Sequence, residues 1–428
     1  MPTGRYPFLG FILTVSEHPM PITRLTLVAC LVVAGLLADR GSAVRLAAQE
    51  GGAIVPFKIA VPDAVLRDLK ERLARTRFPS EIENSGWDYG TNLSYLRDLV
   101  TYWRTTFDWR VQERRLNDLP QFKTQIDGLD LHFIHKKSSR ADAVPLVFVH
   151  GWPGSILEVT KIIGPLTEPP PGEIAFHVVA ISLPGYGFSE KPKQPGVSNR
   201  RIAAMIAQLM ARLGYQRYGA QGGDWGGFIV RQLGLQDPQH LVGVHSNMCV
   251  AGPPPGASDP NAGVSAEEQK RMEAARARIV TEQAYSQLQG TKPQTLGYSL
   301  NDSPAGLAAW IVEKFRTWSD SGGNVEKRFT KEELLTNITI YWVTETGPSS
   351  VRLYYENRRD PGLQGKMEVP FACAVFPGEL FANAPRQWVE ASYNLVQYTV
   401  MPRGGHFAAL EEPELLVADM RKFFKGLK

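Results

Sequence analysis

Two spacings of apolar residues follow one another in the first third of the chain, and they predict helices followed by a hairpin. Residues 54–57 form a short strand-like entry, and Asp63 is placed as the N-cap of a helix whose apolar positions recur at helical spacing. Residues 93–107 repeat that spacing. Residues 121–135 alternate instead, and the turn signal Asp127-Gly128 interrupts them. We expect residues 54–140 to form one N-terminal region of helices and a hairpin.

Short apolar runs that each lead into a helix dominate the chain from residue 145 onward. Most of the runs end in a glycine-rich turn, which is typical of strands that alternate with helices. The runs are 146–149, 175–183, 215–220 and 241–247, and two more follow at 369–376 and 395–401. This order predicts an α/β fold with a doubly wound, mostly parallel sheet, whose catalytic groups lie at the carboxyl ends of the strands.

A long interruption separates the fourth of these runs from the fifth. It opens with the Pro- and Gly-rich segment 252–256 and continues with helical patterns rich in Trp, Tyr and Phe. We interpret residues 251–366 as a helical cap, inserted between a first core part at 141–250 and a second core part at 367–428. The second part is expected to end in an amphipathic helix at 413–424.

The composition of the chain narrows the classes of function. Of 428 residues, 43% are hydrophobic, which suffices for a large core, and 47 Lys and Arg face 43 Asp and Glu without a long basic run. This balance argues against nucleic acid as a partner. The cysteines, Cys30, Cys249 and Cys373, have no metal-site spacing, so they predict neither a zinc site nor a disulfide framework. We therefore expect chemistry that needs no cofactor and no metal.

The first 43 residues have the features of a secretory leader. Residues 25–38 are apolar and uncharged, Arg24 precedes them, and the small residues Gly41-Ser42-Ala43 follow. The apolar stretch is shorter than the roughly 20 residues that a membrane-spanning helix needs. We expect export to the periplasm or the exterior, with an N-terminal membrane anchor as the alternative. Met20 is an alternative start, since it gives a short charged segment ahead of the apolar one.

The segment 222–227, Gly-Gly-Asp-Trp-Gly-Gly, lies between a predicted strand and a predicted helix, as the nucleophile elbow of the α/β-hydrolase fold does. Asp224 stands where esterases hold serine. A carboxylate with an ordinary pKa of about 3.9 is anionic at neutral pH and needs no activating base. Displacement at a saturated carbon would give an alkyl ester, so the expected electrophile is an epoxide or an alkyl halide. The alternative interpretations are a helix cap or a phosphate-binding loop.

The loop 150–154 follows the first predicted parallel strand, where this fold places an oxyanion-hole donor. The backbone N–H groups of Trp152 and Trp225 are therefore expected to form the oxyanion hole. We interpret His150 as a residue that shapes this loop.

The remaining catalytic candidates lie after the cap. His406 follows the last apolar run, in the position of the hydrolase histidine, and is the predicted general base. Glu379 follows the penultimate run and is predicted to orient His406. Asp360, in a turn ahead of that run, is the alternative.

Taken together, these motifs resemble those of the microsomal-type epoxide hydrolases, a group that includes the insect juvenile-hormone enzymes. The resemblance runs from about Val55 to the C-terminus and is most specific at 150–155, 222–227, 300–309 and 403–414. It implies that water opens an epoxide to a vicinal diol through an ester on Asp224. Aromatic residues in the cap suggest a bulky, apolar epoxide, such as an aryl or lipid-derived oxide, and the resemblance implies a role in detoxification.

The resemblance also implies two cap tyrosines that donate protons to the epoxide oxygen. Tyr285, which precedes Thr291-Lys292-Pro293, matches the first of them, and Tyr354 matches the second. Tyr355 is the alternative to Tyr354, because the register could slip by one residue.

Two other functions are compatible with parts of the pattern. A haloalkane or haloacid dehalogenase uses an elbow aspartate and the same ester chemistry, but its cap cradles a halide instead of presenting phenols. A non-catalytic binding protein of this fold would have lost the nucleophile, the acid or the histidine, and all three are present here.

Overall fold

The computed structural model describes residues 52–381 and 384–427. Nine strands in this part of the chain form one sheet. In sequence order the strands are β1 (Val55–Phe57), β2 (Gln121–Ile126), β3 (Leu129–Lys136), β4 (Val144–Val149), β5 (Phe176–Ile181), β6 (Tyr218–Gly222), β7 (Leu241–Ser246), β8 (Met367–Val375) and β9 (Tyr393–Val400). They lie side by side as β1-β2-β3-β5-β4-β6-β7-β8-β9. β1, β2 and β3 pair in antiparallel fashion, β3 also pairs with β5 in antiparallel fashion, and the strands from β5 to β9 in this order pair in parallel. The predicted doubly wound, mostly parallel sheet is confirmed.

The helices fall into three groups along the chain. Before β4 they are α1 (Asp63–Ala74), α2 (Leu93–Thr105) and α3 (Trp109–Asn117). Between β4 and β7 they are α4 (Ile163–Thr167), α5 (Asn199–Arg212) and α6 (Trp225–Gln236). After β7 they are α7 (Ala266–Glu282), α8 (Ala284–Thr291), α9 (Pro293–Asp302), α10 (Pro304–Trp318), α11 (Lys331–Val343), α12 (Gly347–Asn357), α13 (Arg386–Ser392), α14 (Ala408–Glu411) and α15 (Pro413–Lys425). Helices α7 to α12 all lie between β7 and β8.

Both faces of the parallel strands are buried. On β4, Val147 and Val149 pack into the core that holds α5 and α6, whereas Leu146 and Phe148 pack into the core that holds α15. Successive side chains of a strand point to opposite faces, so a strand covered on both sides is apolar throughout. This is why the parallel strands could be found as short continuous apolar runs.

The start of α1 differs from the prediction. Asp63 was expected to cap the helix, but Pro62 occupies the N-cap and Asp63 is the first helical residue. Its carboxylate pairs with the guanidinium of Arg110 on α3. A tertiary ion pair has therefore replaced the local hydrogen bond expected of an N-cap.

The N-terminal helices contact the helices between β7 and β8. The hydroxyl of Thr91, just before α2, donates to the carbonyl of Ala309 on α10 at 2.8 Å. Arg72 on α1 forms a 2.9 Å ion pair with Asp302 at the end of α9. The N-terminal helices thus pack against the helices that lie between β7 and β8.

One disulfide contradicts the expectation from the cysteine spacing. Cys249 and Cys373 are bonded, with their Cα atoms 5.8 Å apart, and both are buried. Cys249 follows β7 and Cys373 lies on β8, and these strands are neighbours in the sheet although 124 positions separate the cysteines. Sequence spacing could not reveal a pair that only the sheet order brings together.

The predicted leader, with Cys30 and the alternative start at Met20, lies outside the described residues. Export and the alternative membrane anchor therefore stay predictions. Within residues 52–381 and 384–427, no helix is both long enough and apolar enough to cross a membrane. The predicted division into five segments also stays a prediction.

Candidate active site

Asp224 sits at a sharp turn between β6 and α6. Its φ is 49° and its ψ is −128°, a backbone conformation that L-residues rarely adopt. The turn brings the backbone of α6 so close to β4 that a Cβ at Gly226 would lie 1.9 Å from the carbonyl oxygen of Val149. The glycines of the motif are therefore needed for the turn itself, and the strained residue carries its carboxylate above the strand end.

The carboxylate of Asp224 is contacted from two sides. The backbone N–H of Trp152 donates to Oδ1 at 2.7 Å, and Nε2 of His406 lies 3.4 Å from Oδ2. A Cβ at Gly151 would lie 2.1 Å from Oδ1. Only glycine therefore lets the loop backbone approach the carboxylate this closely. Trp225 begins α6, where first-turn N–H groups have no partner within the helix. One carboxylate oxygen is therefore held by a backbone donor while the other faces the histidine.

His406 lies between Asp224 and Glu379. Its Nδ1 is 2.8 Å from Oε2 of Glu379, whose Oε1 accepts the N–H of Phe381 at 2.8 Å. Both side chains are buried, at 3% and 1% exposure. Burial alone lowers the pKa of His406, but the carboxylates of Glu379 and Asp224 outweigh it and raise this pKa well above its ordinary value.

Asp360, the alternative partner of the histidine, occupies a different part of the molecule. Its Oδ2 accepts the hydroxyl of Ser198 at 2.6 Å and pairs with Arg200 at 3.0 Å. These contacts fix the start of α5. The structure thus brings Glu379, and not Asp360, to His406.

His150 stabilises the loop that carries Trp152. Its Nδ1 is 3.0 Å from the carbonyl oxygen of Gly151, and its Nε2 accepts the N–H of Leu183 at 3.3 Å. Burial lowers the pKa of His150 to about 4, so the ring is neutral at pH 7. The interpretation of His150 as a loop-shaping residue agrees with these contacts.

Tyr285 and Tyr354 face the elbow from the helices between β7 and β8. The ring of Tyr285 stacks on Trp152 at 5.3 Å, and the ring of Tyr354 meets Trp225 edge-on at 4.7 Å. The two tyrosine rings are 5.6 Å apart, and both side chains are buried. Burial raises the pKa of each phenol above its ordinary value, so both hold their protons at neutral pH.

Tyr355 points elsewhere, although it is the next residue on α12. Its ring is half-buried and carries the guanidinium of Arg359 at 3.3 Å. Adjacent residues of a helix are about 100° apart around its axis, so one phenol enters the site and its neighbour does not. The structure brings together Tyr354 and Tyr285.

Sequence analysis missed two aromatic residues of the site, Trp318 and Phe381. The ring of Trp318 lies 5.1 Å from His406 and 5.0 Å from Tyr285, and Phe381 lies 6.1 Å from His406. Neither residue belongs to a catalytic motif, so no local signal could have found them. Among the described residues, no group of three His, Cys, Asp or Glu side chains is placed to hold a metal ion.

Comparison with known proteins gives consistent results over most of the chain. Residues 54–159 match the family described as epoxide hydrolase N terminus, and residues 144–322 match the alpha/beta hydrolase fold family. Epoxide hydrolase 1 of Sus scrofa is 41% identical over 418 residues, which span 90% of this chain and 91% of that protein.

Solved structures agree with this result. The crystal structure of juvenile hormone epoxide hydrolase from the silkworm Bombyx mori has a TM-score of 0.84 and 34% identity, covering 90% of this chain and 97% of that one. Aspergillus niger epoxide hydrolase has a TM-score of 0.80 and 35% identity, covering 88% and 97%. The resemblance inferred from the motifs is confirmed, and the chain belongs to the epoxide hydrolase family, in the group that joins an epoxide hydrolase N terminus to an α/β-hydrolase fold.

Proposed function

We propose that this protein converts an apolar epoxide and water to a vicinal diol through a covalent alkyl ester on Asp224. The observation that carries the proposal is the carboxylate itself, which lies within reach of a backbone donor from Trp152 and of the His406 ring. Tyr285 and Tyr354 supply the acidic groups that an epoxide oxygen needs on leaving.

In the first half-reaction, Oδ2 of Asp224 attacks the less hindered epoxide carbon. Oδ1 is engaged by the N–H of Trp152, so Oδ2 is the oxygen left to act as nucleophile. The C–O bond of the strained ring breaks, and its electron pair goes to the epoxide oxygen. Tyr285 and Tyr354 donate hydrogen bonds to that oxygen, and a phenolic proton completes the new hydroxyl.

In the second half-reaction, His406 removes a proton from a water molecule that attacks the ester carbonyl carbon. Ester formation removes the negative charge of Asp224, which is one of the two charges that raise the pKa of His406. The histidine therefore becomes more easily neutral when a base is required. Glu379 keeps the proton on Nδ1, and the N–H groups of Trp152 and Trp225 stabilise the oxyanion that forms at Oδ1. Cleavage of the bond between the acyl carbon and Oδ2 then releases the diol. The proton held by His406 passes to the leaving Oδ2, and the second proton of the water restores the phenol.

The side chains around Asp224 support a bulky, apolar epoxide as the substrate. The aromatic rings of Trp152, Trp225, Tyr285 and Tyr354 pack against one another at the elbow that carries Asp224. We propose an aryl or lipid-derived oxide as this substrate.

We also propose that the leader at 1–43 directs export of the protein. N-terminal sequencing of protein recovered outside the cytoplasm would test cleavage after Ala43.

Dehalogenation is the second candidate. In the part of the chain that the structure describes, the indole N–H of Trp225 is a buried donor without a partner, and a halide could accept from it. Two phenols at the same site favour an oxygen leaving group, since a halide needs no proton. We expect diol formation from epoxides and no halide release from alkyl halides.

Two variants separate the half-reactions. Asp224→Asn is expected to abolish ester formation, because an amide is a poor nucleophile, whereas His406→Gln is expected to form the ester and retain it. Intact-protein mass spectrometry after exposure to an epoxide should find an adduct only in the second variant. An adduct in both variants, or in neither, would contradict the assignment.

A single turnover in oxygen-18 water tests the order of events in the unmodified protein. The first diol should contain the original oxygen of Asp224, and the label should appear in the peptide that contains residue 224. Label in the first diol, with none in that peptide, would indicate direct attack of water on the epoxide.

A further inference from the structure

A buried lysine contacts the aromatic cluster at Tyr285. Lys314, on α10, is 6% exposed, and its Nζ lies 5.0 Å from the ring centre of Tyr285 and 5.7 Å from that of Trp318. Both distances are within the range of cation–π attraction. A buried cation is costly unless it is paired, so its position next to a proton donor calls for a physical reason.

Two carboxylates pair with this lysine. Nζ of Lys314 lies 3.3 Å from Oε2 of Glu282 on α7 and 2.5 Å from Oε2 of Glu313. Glu282 also accepts the indole N–H of Trp318 at 3.1 Å. Trp318 packs against Tyr285, so the ion pair is joined to the site through one aromatic ring.

We infer that Lys314 is a positioning residue that strengthens Tyr285 as an acid during epoxide opening. The inference rests on the proposed function, because it assigns Lys314 to the first of the two half-reactions. As the phenolic proton moves to the epoxide oxygen, negative charge develops on the phenol oxygen. A cation at the ring of Tyr285 stabilises that charge in a site from which water is largely excluded.

The other groups around Tyr285 mostly oppose loss of its proton. Burial raises the pKa of this phenol, and the negative charges of Asp224, Glu379 and Glu282 raise it further, whereas a hydrogen bond with Tyr354 lowers it. A positive charge at the ring counteracts these anions. Without Lys314, the carboxylates of Glu282 and Glu313 would also lose the ion pairs that they form with it.

The test measures the two half-reactions separately in single-turnover experiments with styrene oxide as the probe. Rapid quenching and intact-protein mass spectrometry give the rate of ester formation and the rate of ester loss. Lys314→Met keeps a long side chain and removes the charge. We expect ester formation to slow by about tenfold and ester loss to change by less than about twofold. Lys314→Arg restores the charge and is expected to bring ester formation back to within about threefold of the original rate.

Glu282→Gln provides a test of sign. Glutamine still offers an oxygen to the indole of Trp318, but it removes an anion that opposes ionisation of Tyr285. Ester formation is therefore expected to become about two to three times faster. A purely structural ion pair would predict a loss of rate in both Glu282→Gln and Lys314→Met.

A matched control lies elsewhere in the molecule. Lys331 pairs with Glu326 at 2.7 Å and lies 5.9 Å from the ring centre of Tyr102, so it repeats the Lys–Glu–Tyr arrangement away from the site. Lys331→Met should leave both half-reactions unchanged. If Lys314→Met fails to fold, the double variant Glu282→Gln/Lys314→Met avoids the unpaired Glu282, and it should form the ester about tenfold more slowly than Glu282→Gln alone.

An unchanged rate of ester formation in a folded Lys314→Met variant would overturn the inference. A loss of rate in Glu282→Gln equal to that in Lys314→Met would also overturn it. Failure of the proposed function gives a different result, because the unmodified protein itself would then form no ester and no diol.

Discussion

Replacing Glu379 by glutamine changes only one heavy atom of the side chain but should greatly slow the second half-reaction. Oε1 of Glu379 accepts the N–H of Phe381 at 2.8 Å, and Oε2 lies 2.8 Å from Nδ1 of His406. Glutamine has one acceptor and one donor at these two places. If its oxygen stays on Phe381, its NH₂ group faces Nδ1, and the neutral histidine must carry its proton on Nε2. Nε2 is the atom that faces Asp224, so it could no longer accept a proton from water.

The expected size of the effect follows from this tautomer argument and from burial. Both side chains are nearly inaccessible to solvent, at 3% and 1% exposure, so water cannot replace the lost carboxylate. An orienting carboxylate replaced by its amide lowers the rate of such a site by about 10³- to 10⁴-fold, or roughly 4 to 5.5 kcal/mol in the barrier. We expect a loss of this size in ester hydrolysis by Glu379→Gln, and at most about a tenfold change in ester formation, because Asp224 needs no base.

The assay is a single turnover followed by mass spectrometry of the intact protein. Glu379→Gln should accumulate the ester and lose it slowly, while Glu379→Asp, which keeps the charge, should retain more of the hydrolytic rate. Asp360→Asn is the matched control, since Asp360 pairs with Arg200 and not with His406. It should hydrolyse the ester at the original rate.

The reasoning would be refuted if Asp360→Asn accumulated the ester and Glu379→Gln did not. It would also be refuted if Glu379→Gln slowed ester formation and ester hydrolysis by equal factors. That result would point to a general loss of structure at the site, which circular dichroism of the variant would reveal.

Two more predictions concern the tyrosines of α12 and the disulfide between Cys249 and Cys373. Tyr354→Phe should slow ester formation by about 10²-fold. Tyr355→Phe should change it by less than about twofold, because the ring of Tyr355 contacts Arg359. Single-turnover rates measure both effects, and equal losses in the two variants would contradict the choice of Tyr354. Replacing Cys249 and Cys373 by alanine should lower the free energy of unfolding by about 2 to 4 kcal/mol, because their bond constrains a loop spanning 124 positions. Denaturant titration measures the change, and an unchanged midpoint would contradict it.

The sequence by itself determined the features that depend on neighbouring residues. The parallel strands could be located because a strand buried on both faces is apolar along its whole length, as at β4. The elbow could be located because only glycines at fixed offsets from Asp224 permit the turn. The order of nucleophile, acid and histidine along the chain then placed Asp224, Glu379 and His406 at strand ends that meet at one edge of the sheet.

Only the tertiary structure decided which distant side chains meet. From the sequence, both Glu379 and Asp360 were possible partners for His406. The choice between them depends on distances between loops that lie far apart in the chain. Both Tyr354 and Tyr355 were possible second proton donors. Adjacent helical residues point about 100° apart, so the orientation of the helix decides which of the two enters the site.

The cluster of Lys314, Glu282 and Trp318 and the disulfide gave no local signal at all. Each joins residues from elements that the folded chain brings together, Glu282 from α7 with Lys314 from α10, and Cys249 after β7 with Cys373 on β8. Local patterns report backbone conformation and burial, since these depend on residues a few positions apart. Pairing across the fold depends on how whole helices and strands pack, so it becomes visible only when they are assembled.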